Sequence, residues 1–407
     1  MVRKITLVLC LCLTACTVGI TRIEVLTPAV SIIQTPPPAL AATLTPTYFP
    51  ISTYTFAPVP LPTPVPTIAS MPLSTSSGGH SIEPLINHQG GTETAAVFAQ
   101  GNYAYVIYKN YQQGFSSARE ELATLDISDP ARPVQIGFQV SLGAESVYIS
   151  DDYIYVATSR NCELPDGSCE VGLRVHSFDP ESPIVRSDYN WLQGETQSGM
   201  SFEIAGGDRI VYVATSLGGV AVMDVSDPDA PVQASFLEGH ACAVAAAGKY
   251  VYVLETVDWN EWYVRVLDVS IPTAPVDVGN SQTFEWLKRG ADPNMIVAGN
   301  YIYVADWFGL HVMDISDPTV PTKVGFYATS ELARDGAELE VANGYAYLAG
   351  VLGGLWVLDV SNPTNPSEVA FYDLQAVVWD VSVAGNYIYV ACPMLGLQVL
   401  RHVKPGL

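Results

Sequence analysis

The stretch FGLHVMDISDPTVP, Phe308 to Pro321, decides the fold. It reads as a strand of alternating apolar residues that runs into an acidic turn. Taken alone, Asp314 and Asp317 suggest a cation loop. Six relatives of the strand lie elsewhere in the same chain: LATLDISDP from Leu122, LRVHSFDP from Leu173, VAVMDVSDP from Val220, VRVLDVSIP from Val264, LWVLDVSNP from Leu355, and LQVLRHV from Leu397, which lacks the turn. A recurring segment has to be explained before any one copy is treated as a site.

Two further markers keep step with it. A Tyr-rich strand follows a tight turn in GNYAYV at 101, DDYIYVA at 151, GDRIVYVA at 207, GKYVYVL at 248, GNYIYVA at 299, NGYAYLA at 343 and GNYIYVA at 385. A proline opens another short strand at Pro133, Pro183, Pro231, Pro275, Pro321 and Pro366. Ahead of each Tyr strand lies a run of small or apolar residues, such as HACAVAAAG at His240–Gly248, NMIVAG at Asn294–Gly299 and DVSVAG at Asp380–Gly385. Each unit is thus four short strands in about 45 residues, the period and strand count of a β-propeller blade. The small-residue strand belongs innermost, where blades crowd at the axis, and the Tyr strand next, where the wedge widens.

The expected architecture is an all-β, seven-bladed β-propeller of four-stranded antiparallel blades. Six or eight blades are the alternatives if one unit is misread. The last unit has only three strands. An orphan, SIEPLINHQG, precedes the first inner strand and carries Pro84 in the marker position. It is expected to complete the last blade through residues 82–89 and to leave no open sheet edge. The domains are then 1–15, 16–80 and 81–407.

The combination GNYxYVA…GLxVxDVSxP resembles the LVIVD-repeat family of bacterial and archaeal proteins, over roughly residues 90–403. The resemblance implies a propeller, often at the cell surface. It carries over no catalytic residue.

The N-terminus reads as an address. MVRKITLVLCLCLTAC has a short positive start at Arg3 and Lys4 and an apolar run from Ile5 to Leu13, too short to span a bilayer as a permanent helix. Leu13-Thr14-Ala15-Cys16 resembles a bacterial lipoprotein signal, which makes Cys16 the lipidated residue and the protein extracytoplasmic, anchored to the membrane. Residues 17–80 are Pro- and Thr-rich, as in APVPLPTPVPTIASMPLSTSSGG, and read as an extended tether.

The formal net charge is −23, which repels phosphate backbones and argues against nucleic-acid partners. Basic partners or cations suit it better. The Asp residues that end the LVIVD-type strands (Asp126, Asp224, Asp268, Asp314 and Asp359) read as turn formers, because Asp accepts bonds from backbone N–H groups one or two residues on. EF-hand spacing is absent.

A sharper candidate lies at the axis. Alignment on the Tyr motif puts Ala96, Ser146, Glu203, Ala243, Asn294, Glu338 and Asp380 in one column. Its carboxylates and amide can hold a hydrated cation such as Ca²⁺, or they form only a polar channel rim. His240 opens an inner strand and can reach the channel mouth. Glu255, Trp259, Trp262, Asp306 and Trp307 form a candidate contact surface for a sugar or peptide. Cys162 and Cys169 flank the turn signal Pro165-Asp166-Gly167 and suit a loop-stapling disulfide in an oxidising compartment. Cys242 and Cys392 read as buried free thiols. No Gly-x-Ser-x-Gly elbow, phosphate loop or metalloprotease helix occurs. The functional expectation is a surface-tethered binding scaffold with a protein or glycan partner. The alternative is a hydrolase or lyase with its site at the channel mouth.

Overall fold

The computed structural model describes residues 80–88, 93–110, 119–140, 144–150, 153–160, 169–177, 185–193, 202–207, 209–215, 219–257, 261–285, 293–306, 308–329, 337–350 and 354–404. These residues form seven antiparallel sheets and no helix. In six of the sheets the strands run from the axis outward in chain order, and in the seventh the outermost strand comes first in the chain; we letter them a to d from the axis.

Blade 1 consists of Glu93–Gln100, Tyr103–Asn110, Arg119–Asp126 and Val134–Val140. Blade 2 consists of Ala144–Ile149, Tyr153–Arg160, Cys169–Ser177 and Val185–Gln193. Blade 3 is Phe202–Gly206, Ile210–Thr215, Gly219–Asp224 and Val232–Leu237. Blade 4 is Ala241–Ala247, Tyr250–Val257, Glu261–Asp268 and Val276–Asn280, and the short Phe284–Glu285 adds to its strand c. Blade 5 runs Asn294–Ala298, Tyr301–Asp306, Gly309–Asp314 and Thr322–Ala328. Blade 6 runs Ala337–Ala342, Tyr345–Gly350, Gly354–Asp359 and Ser367–Asp373. Blade 7 takes Asp380–Ala384, Tyr387–Cys392 and Gly396–Val403 from the C-terminal end and Ser81–His88 as its strand d. Inner strands of successive blades are neighbours all the way round, and blade 7 returns to blade 1.

The burial pattern follows from this stacking. Strands b and c are almost continuously buried, because both faces of the sheet meet a neighbouring blade. That is why YIYVA and LHVMD carry apolar residues on both faces. Tyr105, Tyr252, Tyr347 and Tyr389 are fully buried, each contributing about 1.5–3 kcal/mol of apolar burial. Strand d faces solvent, and its first residue is exposed at Val134, Val232 and Val276.

Two local devices repeat. The a–b turn needs a left-handed residue, supplied by Gly299 at φ +61° in blade 5 and by Asn343 at φ +56° in blade 6, where the order of Gly and Asn is reversed. The acidic turn is built as its side chains predict. Ser128 N–H and Oγ donate to Asp126 Oδ1 at 2.8 and 2.6 Å, and the N–H groups of Ser226, Ser270, Ser316 and Ser361 donate to Asp224, Asp268, Asp314 and Asp359. These bonds hold the carboxyls of Asp126, Asp224, Asp314 and Asp359 below the usual carboxylate range, and Asp268 is lowered first by Lys249 and then by Ser270.

Every strand d also carries one extra residue against strand c: Ile136, Arg186, Ala234, Val278, Val324, Val369 and, in the closing strand, Leu85. The shared bulge shows that Ser81–His88 is a true fourth strand. It also corrects the placement of Pro84. Glu83 pairs with Arg401, as Val134 pairs with Asp126, so the marker-proline slot falls on the buried Ile82. Pro84 sits two residues further on, where an edge strand tolerates a missing N–H.

Candidate functional site

The axis holds a cavity of about 230 Å³, room for several waters at ~30 Å³ each. Its wall includes Glu145, Glu203, Asn294, Glu338, Glu340 and Asp380. The predicted column is real in register. Ala96, Ser146, Glu203, Ala243, Asn294, Glu338 and Asp380 each pair with the second residue after the buried Tyr of strand b. Glu203, Asn294, Glu338 and Asp380 therefore do come together.

What they do there is specific. Strand a is the edge of its sheet, so its outward N–H groups need partners beyond the blade. Asp380 of blade 7 accepts the N–H of Val97 in blade 1 at 2.8 Å and the N–H of Val381 at 2.7 Å. Glu203 of blade 3 accepts the N–H of Val244 in blade 4 at 2.9 Å. Ser382 Oγ accepts the N–H of Ala99 at 3.0 Å. Glu338 accepts the amide of Asn294, a blade 5 to blade 6 link, at 2.9 Å. These side chains are brackets between blades. Among the described residues no group of three or more His, Cys, Asp or Glu is arranged to hold a metal ion.

Glu340 and Glu145 escaped the column. Glu340 lies two residues after Glu338, and the alternation Glu-Leu-Glu is the signal that puts both on the axial face. Glu145 lies at an irregularity between Ala144 and Ser146, and it pairs with Lys109 at 3.4 Å. Burial, then repulsion from Asp380, pushes the Glu340 carboxyl up to about 8. Burial also raises Asp380, but its two N–H donors oppose the rise and favour the anion. Glu340 is accordingly the member of the pair that keeps its proton at neutral pH.

Other expectations need correction. His240 is exposed and is absent from the cavity wall; Cys242, the extra residue of a bulge between Ala241 and Ala243, reaches the wall in its place. Trp262 is 1 % exposed and packs edge-on against His311 at 5.4 Å between blades 4 and 5. Glu255 is buried and accepts bonds from Tyr263 and Arg265. Asp306 is buried and binds His311 Nε2 and Phe308 N–H, both at 2.9 Å. These three are packing residues, because the strand ends they occupy lie between blades. Trp259, Trp307, Cys16 and Cys162 lie outside the described residues, and with Cys162 so does the expected disulfide to Cys169. Cys242 and Cys392 are buried free thiols, as expected.

A family profile, the LVIVD repeat, matches residues 91–138, 143–162, 207–235, 238–283, 290–329, 333–374 and 377–400, more than half of the chain. The chain belongs to the LVIVD-repeat family. No sequence among the curated proteins matches it. In fold, this LVIVD protein is similar to a chain in the crystal structure of a mitotic checkpoint complex, at TM-score 0.51 and 11 % identity over 87 % of this chain and 100 % of that one. It is also similar to the computationally designed Ika8 protein (TM-score 0.49, 12 % identity, 78 % and 99 % of the two chains). BamB from Moraxella catarrhalis matches at TM-score 0.44 and 15 % identity over 82 % and 92 %. At these identities the likeness concerns the fold alone.

Proposed function

We propose that this LVIVD propeller is a binding scaffold of the cell envelope, held to the membrane by lipid on Cys16 and carrying a protein or glycan partner on the end where the axial cavity opens. One observation carries the reading. Glu203, Glu338 and Asp380 at the axis are committed to holding blades together, while the same end of blade 7 presents large apolar groups to solvent. Trp379, just ahead of strand a, is 36 % exposed on the cavity wall, and Met394, in the b–c turn, is 83 % exposed. Both belong to one end, because strand b runs back to where strand a begins. An exposed aromatic with an adaptable Met is suited to a sugar face or an apolar peptide side chain.

The test uses the full chain in a bacterial host. Alkyne-palmitate labelling should mark the wild type and not Cys16→Ser. A photo-crosslinking residue at Met394 should capture a discrete adduct, and one at Ser128, in the turns at the opposite end, should not. Membrane retention of Cys16→Ser, or equal adducts from both positions, would sink the reading.

A second reading, a hydrolase or lyase at the cavity mouth, has one point in its favour. Glu340 holds a proton beside Asp380, whose two N–H donors favour its anion, the division of labour that general acid–base chemistry uses. It requires turnover on an ester or polysaccharide panel that Glu340→Gln abolishes.

A further inference from the structure

The ring is closed by a pair of histidines in slots that the sister blades fill differently. His402 stands one residue beyond the position of the turn Asp. Ile127, Val225, Val269, Ile315 and Val360 occupy that slot in other blades, all buried. Each gives its N–H to the a–b turn of its own blade, as His402 does to Asn386 O at 2.8 Å. A repeat that asks for an aliphatic residue has a histidine at the one blade assembled from both ends of the propeller.

The surroundings of His402 are fully specified. It is 1 % exposed. Its Nδ1 lies 3.0 Å from the Tyr347 hydroxyl of blade 6, and its Nε2 lies 3.0 Å from Nδ1 of His80, the residue just ahead of the closing strand. Tyr345 stands edge-on to both rings, at 4.9 Å from His402 and 5.7 Å from His80. Lys404 Nζ lies 4.9 Å over the Tyr345 ring and acts on His402 with its charge. Asp359 faces His80, and Glu340 faces Tyr347. The Arg401–Glu83 ion pair forms the next rung of the seam. Burial, with His80 and Lys404 adding to it, holds the His402 imidazole down to about 4.

A ring-to-ring bond of this kind needs one N–H facing one lone pair. An added proton on His402 puts a charge in an apolar slot beside Lys404. We propose that His80 and His402 form an acid-labile latch, in which protonation of His402 releases Ser81–His88 from Gly396–Val403 while the other blades stay folded. The open seam leaves His402 free to titrate as an ordinary imidazole near 6.5, whereas the closed seam excludes its proton down to about 4. The closed state is therefore favoured at high pH. It weakens about tenfold per pH unit below 6.5 and levels off near 4.

Hydrogen exchange of the full chain, pulse-labelled at one pH after incubation at pH 7.5 or 4.5, reads the latch directly. Protection of 81–88 should fall by about 100-fold, with 294–298 and 301–306 unchanged. His402→Val restores the aliphatic residue of the sister blades and should keep 81–88 protected at pH 4.5. A parallel loss across all strands, or the same loss in His402→Val, overturns the latch. If that variant does not fold, the His402 Cε1–H resonance in the wild type decides. Its titration midpoint has to coincide with the loss of protection at 81–88, and a separation of more than one pH unit overturns the proposal.

Discussion

A single histidine shows how a repeat protein reveals its own exceptions. His176 of blade 2 is wholly buried, and neither ring nitrogen has a hydrogen-bond partner among the described residues. It pairs with Ile154, and the same slot holds Leu125, Met223, Leu267, Met313, Leu358 and Leu400 in the other six blades. Burial lowers its pKa to about 4, against which Asp188 is the smaller effect. Its folded pKa lies below its unfolded one, so the unfolded chain takes the proton first. Stability is lost as pH falls from 6.5 towards 4, by about 3 kcal/mol at most. His176→Leu should remove that loss and add about 1 kcal/mol at pH 7, where two unpaired nitrogens are no longer buried. Urea unfolding at pH 5 and 7 measures both.

Glu340 has the opposite sign. Its carboxyl is raised to about 8 in the folded chain, so the stability it contributes is present below about 4.5 and is lost as pH rises through 8. Glu340→Gln should stabilise the protein at pH 7.5 by on the order of 2 to 4 kcal/mol and change little at pH 4.5. Unchanged unfolding curves at both pH values would show that Glu340 ionises freely in the cavity.

At the scale of the strand, blades touch through small residues on strand d. A Cβ on Gly279 would stand 1.8 Å from Thr319 O of the next blade, and one on Gly325 2.1 Å from Pro363 O. Ser187 and Ser235 use the same position to donate to Pro228 O and Pro272 O, both at 2.7 Å. Gly325→Val should therefore cost about 1–3 kcal/mol by pushing the turn of blade 6 away. Gly101→Ala, whose Cβ meets nothing, should show only the penalty of its left-handed turn. The inner strands make the complementary contacts. Asp380→Ala strands the N–H of Val97 and should cost about 1–3 kcal/mol. Asp380→Asn keeps an acceptor oxygen and should cost less. Equal losses in a melting comparison would mean that the charge matters and the bond does not.

At the scale of the whole molecule, the closing strand decides whether there is a ring. Without Ser81–His88, strand c of blade 7 becomes an open edge. A chain with this segment excised should self-associate in analytical ultracentrifugation, and the full chain should not. The architecture was legible because each blade repeats the same steric demands: small at the axis, aromatic next, Asp-x-Ser at the turn. The axial column was legible for the same reason, since one register relates Glu203, Glu338 and Asp380. What could not be read was the partner of each side chain. Which edge N–H donates to Asp380 depends on how the neighbouring blade leans, and Trp262 looked exposed only because its partner His311 is forty-nine residues away in sequence. Pro84 misled through its residue type, because Ile82 fills the slot with equal bulk.

Ser81 and Val403 are paired residues, so the two ends of the propeller lie side by side. The order in which the chain visits the blades is then a matter of where it was cut, not of how it is held. A short bridge from Lys404 to His80 would leave a circle that can be reopened in the 329–337 connection, making blade 6 the first and blade 5 the last. Such a permuted chain should melt as the native one does, with blade 7 joined by covalent chain where the native protein relies on a strand returning from the far end.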